Sequence, residues 1–117
     1  GNLGAALLRY TGFRKEGFEI IAAFDAEPSN VKSTTEQMGV PVYHVREMGR
    51  YVEAHGVRMA IIAVPEHAGQ MVADTLVASG VQAILNFSPT LLTVPDEVVV
   101  NHVDLAAELG SLSFFVS

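Results

Sequence analysis

Two apolar runs separated by a helical stretch constrain this chain more than any other feature in it. RMAIIAVP, from Arg58 to Pro65, is almost continuously apolar, and VQAILNF, from Val81 to Phe87, is a second run of the same kind. A strand that is apolar on alternate residues has one wet face; a strand apolar throughout is buried on both, as in parallel sheets. Between the two runs, EHAGQMVADTLVASG reads as a helix that begins after Pro65 and stops at Gly80. Strand, helix and buried strand make one βαβ unit, the building block of an α/β fold.

The rest of the chain repeats the alternation. EGFEIIAAFD, Glu16 to Asp25, is a buried-strand signal that ends on an acid, and VPVYHV, Val40 to Val45, is a short strand. REMGRYVEAHG reads as a helix with Met48 and Val52 four apart and a stop at Gly56. GAALLRY, Gly4 to Tyr10, has good helix formers directly after a glycine-rich start, and EPSNVKSTTEQMG reads as loop or weak helix. After the proline-punctuated loop SPTLLTVP come EVVVNHV, a short helical stretch DLAAELG and a closing strand SLSFFVS. With no hairpin signal between strands, the expected architecture is α/β, a Rossmann-like doubly wound and mostly parallel sheet. It is expected to lack its first strand, because no apolar run precedes Gly1. That strand is normally central, so its neighbours would face each other across an unfilled slot. Residues 1–117 are accordingly expected to form one domain, incomplete at both ends.

Composition narrows the function. Thirteen acidic residues against seven basic ones give a net charge of −6, so this segment is not expected to grip nucleic acid itself. No apolar run reaches the ~18 residues of a membrane span, and no signal-peptide pattern is visible. The absence of cysteine excludes disulfides and thiolate chemistry and agrees with a cytoplasmic address. The four histidines, His44, His55, His67 and His102, have no metal-ligand spacing and read as surface or interface residues. No Ser-His-Asp arrangement or paired carboxylates emerge, so catalysis is not expected.

What the chain does have is a set of strand ends suited to a nucleotide. GNLG fits the last four positions of the G-x-G-x-x-G dinucleotide fingerprint: Gly1 would let the backbone approach a pyrophosphate, and Gly4 would allow close helix packing. The amides from Asn2 through Leu3 to Ala5 would then point at the anion. Two glycines in a loop satisfy the same pattern. Asp25 follows about 20 residues later at a strand end, where this fold places an acid on a ribose 2′-hydroxyl. A carboxylate there also repels a 2′-phosphate, favouring NAD(H) over NADP(H). Val64 and Pro65 would wall one side of the crevice, Asn86 would bond a carboxamide or ribose, and Phe87 lies beside it. A strand-end Asp also caps turns, the prolines also form them, and Phe87 alone reads as core.

Together GNLGAALLRY, the AAFD strand end, GVPVYHV, AVPEHAGQMVADTLVASGVQAILNFSPTLLTVPDEVVV and HVDLAAELGSLSFF resemble the cofactor-binding domain of the Rex family of bacterial redox-sensing repressors. The likeness spans nearly the whole chain, and LVASGVQAILNFSPTLLTVP and VDLAAEL are its most specific pieces. It implies a homodimer that binds NADH and NAD+ in a Rossmann-like domain and operator DNA through a separate N-terminal winged helix. It places Gly1, Asn2, Leu3 and Gly4 on the pyrophosphate, Asp25 on the adenosine ribose, and Val64, Pro65, Asn86 and Phe87 on the nicotinamide side. Asp104 and Leu105 fall where the family couples that pocket to the dimer interface and the DNA-binding domain. By the same likeness, the winged helix, the first strand and the C-terminal swapping helix of the family are expected to lie outside this sequence. Two alternatives share the fold: a CoA-binding domain like that of the succinyl-CoA ligase α subunit, and a fragment of an NAD-dependent dehydrogenase. Asp25 weighs against the 3′-phosphate of CoA while Lys32 keeps it open, and a dehydrogenase would need a proton-transfer residue that is not visible.

Overall fold

The structure, a computed structural model, describes residues 5–10, 17–26 and 39–103. Six strands form one sheet: β1 Ala5–Tyr10, β2 Phe18–Asp25, β3 Val42–His44, β4 Met59–Ile62, β5 Ala83–Asn86 and β6 Val99–His102. Their spatial order is β3-β2-β1-β4-β5-β6, the doubly wound order. Two helices, α1 Met48–His55 and α2 Gly69–Ala78, join β3 to β4 and β4 to β5. β2 pairs parallel with β3, and β4 with β5 and β5 with β6. The apolar runs at β4 and β5 thus form the parallel βαβ unit their composition demands.

The central position departs from expectation. Ala5–Tyr10, expected to be helical, is a strand, and it fills the slot that would otherwise open between β2 and β4. It runs antiparallel to both neighbours, with Ala5 opposite Phe24 on one side and Ile62 on the other. The reason is a contest of magnitudes. Helix preference separates Ala and Leu from strand-prone residues by at most ~0.7 kcal/mol per residue. Two rows of buried, unpaired N–H and C=O groups would cost ~1–3 kcal/mol for each group. Filling the gap wins. Because β2 and β4 are each antiparallel to β1, they run parallel to one another, and all five strands other than β1 end at the same edge.

Alternation within the strands decides which face is buried. Ala22 and Phe24 of β2, Ala60 and Ile62 of β4 and Ile84 of β5 share one core with Met48 and Val52 of α1 and Val72, Ala73 and Leu76 of α2. Met48 and Val52 are four apart, so they lie on one face of α1. Phe24 lies under two further rings, Tyr43 at 5.6 Å and Tyr51 at 5.4 Å between centroids. Burying a side chain such as Phe24 or Leu76 contributes ~1.5–3 kcal/mol each. Gly56 closes α1 at φ 60, a left-handed value that other residues adopt at a cost. Its N–H returns to the Val52 carbonyl. Gly80, at φ 113, turns the chain after α2.

Candidate functional site

The shared edge of the five parallel strands carries one residue or turn from each: Asp25, His44, the Ala63–Pro65 segment, Asn86–Phe87 and His102. In open α/β sheets ligands bind at this carboxyl edge, at the point where strand order reverses. Here the reversal lies around β1, with β2 and β3 to one side and β4, β5 and β6 to the other. Ala5, which follows Gly4 in sequence, sits at this edge opposite Phe24 and Ile62. Gly1, Asn2, Leu3 and Gly4 themselves lie outside the described residues, as do Asp104 and Leu105.

At the β2 end, Asp25 is buried at 5% exposure and pairs in register with His44 of β3. The His44 ring faces its own chain: Nδ1 accepts the Arg46 N–H at 3.1 Å and caps the short 3-10 turn Val45–Glu47. The functional group here is a single carboxylate at the tip of a strand.

At the β4 and β5 ends the chemistry is apolar and the geometry is tightly held. Val64 is buried at 7% exposure, while Pro65 is exposed and stands at the head of the 3-10 turn Glu66–Ala68. Phe87 is half-buried, and its N–H donates to the Ile62 carbonyl at 2.8 Å, which extends the β4–β5 ladder by one residue. Asn86 has no exposed surface, and its amide is committed to the following turn. Oδ1 accepts from the Ser88 N–H at 3.0 Å and from Ser88 Oγ at 2.6 Å. Nδ2 donates to the Thr90 carbonyl at 2.8 Å. An amide has two donors and two acceptor positions, so Asn86 keeps one N–H for a ligand at most. Its main work is to shape the loop.

Two residues that the sequence does not single out complete that loop. Gln70, in the first turn of α2, donates from Nε2 to the Thr93 carbonyl at 2.8 Å and accepts the Thr93 N–H on Oε1 at 2.8 Å. The side-chain amide thus imitates one rung of a β-ladder. Its Nε2 also donates to Asp74 Oδ1 at 2.7 Å. His102, at the end of β6, accepts the Leu92 N–H on Nε2 at 3.0 Å. Gly69 abuts the same loop, where a Cβ would lie 2.9 Å from Ser88 Oγ and 3.2 Å from Thr90 Cβ. Partners this far apart in sequence leave no local pattern, although Asn86 followed two residues later by Ser88 is a recognisable turn signature.

The two ends are far apart. β2 and β5 are separated by three strand spacings, ~14 Å at the usual interval. A small ligand reaches one end or the other; a dinucleotide lying along the edge reaches both. Among the described residues no cluster of three or more His, Cys, Asp or Glu could hold a metal ion, and no helix is long and apolar enough to cross a membrane. A hollow of about 390 Å³ lies at the opposite edge, among Phe18, Met59, Ala83 and Val99, the first residues of their strands. Among the described residues Asn101 is the only polar side chain on its walls, so these residues do not supply the convergent polar groups of a nucleotide site.

Comparison with known proteins finds likeness at every level. Residues 1–90 match the family described as the CoA binding domain. The redox-sensing transcriptional repressor Rex of Streptomyces avermitilis is 48% identical over 97% of this chain and 44% of its own length. The Rex protein of Listeria welshimeri is 40% identical over 99% of this chain and 53% of its own length. This chain therefore spans about half the length of such relatives, which are named as repressors rather than enzymes. Among solved structures, a Rex-family repressor in complex with NADH matches with a TM-score of 0.72 and 31% identity over 92% of this chain and 51% of that one. The same repressor in complex with NAD+ and operator DNA matches with a TM-score of 0.70 and 31% identity over 92% of this chain and 48% of that one.

Proposed function

The chain belongs to the CoA-binding domain family and, by the relatives it matches, to the Rex family, and on that premise we propose that it is the cofactor-sensing domain of a redox-responsive transcriptional repressor. It binds NADH and NAD+ along the carboxyl edge of its sheet and controls operator binding by a separate winged-helix domain, within a cytoplasmic homodimer. The observation that carries this is the two-ended edge: a buried carboxylate at the tip of β2 and an apolar, loop-walled end at β4 and β5. The residues fit the cofactor, which supplies a ring whose charge changes with its redox state.

Asp25 takes the adenosine ribose hydroxyls and repels a phosphate on that ribose. Val64, Pro65 and Phe87 wall the nicotinamide, and Asn86, itself fully buried, sets the loop beside it. Gly1, Asn2, Leu3 and Gly4 cradle the pyrophosphate, and Asp104 and Leu105 relay occupancy to the dimer interface and the DNA-binding domain. The oxidised ring is cationic and the reduced ring neutral; an apolar wall favours the neutral one, because an unpaired buried charge is costly. NADH then releases DNA to the extent that it binds the DNA-free conformation better, with a coupling of roughly 1–3 kcal/mol. The net charge of −6 agrees with DNA being held elsewhere in the protein.

The family description favours one other ligand, CoA. CoA carries a 3′-phosphate on its adenosine ribose, which a buried Asp25 carboxylate opposes. Calorimetric titration of the full-length protein with NADH, NAD+ and CoA separates the two. Tight NADH, weaker NAD+ and no CoA are expected; CoA binding without a response to either nicotinamide dinucleotide reassigns the site.

A further inference from the structure

We propose that Gln70 is a positioning residue for the nicotinamide end of the site: it holds the loop after β5 in the shape that lets the edge distinguish the reduced ring from the oxidised one. This rests on the nucleotide site proposed above. Gln70 acts through the main chain of Thr93.

Three observations carry the inference. First, the Gln70 amide satisfies both the N–H and the C=O of Thr93, at 2.8 Å each, across 23 residues of sequence. Cross-linking a loop to a helix at one residue through both of its main-chain groups fixes translation and tilt together. Second, Asp74 accepts from the same Nε2 at 2.7 Å, one helical turn on, and so limits the rotamers open to a long, flexible side chain. Third, the neighbouring Gly69 packs against Ser88 and Thr90 so closely that a Cβ would have to displace them. The first turn of α2 and the loop behind Phe87 therefore move as one body. That loop begins at the ring-side wall, so a small displacement of it changes the fit of a ring while leaving the β2 end, ~14 Å away, untouched.

The test compares whole and half ligands. In the full-length protein, Gln70→Met keeps the chain length of the side chain and removes every hydrogen bond it makes. NADH affinity is expected to fall roughly tenfold, because the loop loses both of its bonds to Gln70, while ADP-ribose, which lacks the nicotinamide ring, binds within about twofold of wild type. Asp74→Ala, on the exposed face of α2, serves as the milder variant: it keeps both bonds to Thr93 and frees the Gln70 rotamer. It is expected to weaken NADH by roughly twofold and to leave ADP-ribose unchanged. Equal losses for NADH and ADP-ribose would reduce Gln70 to a general stabiliser of the fold, and unchanged NADH affinity in both variants would remove it from the site altogether. If the wild-type protein itself binds neither NADH nor NAD+, the nucleotide assignment falls first, and that titration tells the two failures apart.

Discussion

In the site proposed above, the two ends of the crevice would solve recognition in opposite ways. At β2 the discrimination is assigned to a single buried carboxylate, and the strand that carries it is held by ordinary ladder pairing with β1 and β3. At β5 no charge is placed; the discriminating element is the shape of a loop, held by side chains from α2, β5 and β6. Charge reads a hydroxyl against a phosphate, two groups that differ by formal charge wherever they sit. Shape and low polarity read one ring against a nearly identical ring with one charge more. A charged end can tolerate small errors in position, since Coulomb energy falls off slowly. A shape-reading end cannot, which accounts for the number of groups spent on holding it.

The comparison can be broken most severely at Asn86. Asn86→Ala strands the buried Ser88 N–H and takes one donor from the part-buried Thr90 carbonyl, and ~3 kcal/mol of unfolding free energy should be lost, read as a shift of the urea midpoint at unchanged m-value. A loss below ~1 kcal/mol would mean that the loop does not depend on its side-chain clamps. At the other end, Asp25→Asn keeps the volume and removes the charge. NADH affinity should drop roughly 10- to 150-fold, the range for a hydrogen bond to a charged group, with the preference against NADPH relaxed. Retention of both affinity and preference would show that β2 does not read the ribose. The smallest effect is expected at His102→Leu. It removes one acceptor from an exposed Leu92 N–H, a change of ~0.5–1 kcal/mol in stability, and amide exchange at Leu92 should accelerate while that at Phe87 does not.

Much of this molecule is written plainly in its sequence, and what is not has identifiable causes. β4, α2 and β5 follow from two apolar runs and a glycine stop, although only alternate residues of β4 and β5 are buried and those between them are half-buried. Gly56 and Gly80 end their segments where a reader would place them. Ala5–Tyr10 was illegible as a strand, since AALLRY suits a helix on its own and only the vacancy between β2 and β4 decides otherwise. Asp25 and the other strand ends were legible as neighbours on one edge, because topology brings carboxyl ends together in any sheet of this order. Asn86 was legible as a strand-end residue, and the geometry turns most of its amide inward to the loop. Gln70 and His102 were not, because each grips a main-chain atom of a residue 23 or 10 positions away, and main-chain atoms carry no signature in the alphabet.

Main-chain clamps of this kind govern how such a loop can change over time. Gln70 binds the N–H and C=O of Thr93, Asn86 binds the N–H of Ser88 and the C=O of Thr90, and His102 binds the N–H of Leu92. Apart from Ser88 Oγ, none of these clamps depends on which side chain the loop residue carries. Instructions for the path of residues 88–93 are therefore stored at 70, 86 and 102, outside the segment they shape. Leu91, at 82% exposure, is free to be rewritten, and so are the outward positions beside it, provided that proline stays out of 92 and 93. The scaffold keeps the contour and leaves the lettering open, so a lineage can trial new surface chemistry at this edge without relearning how to fold it.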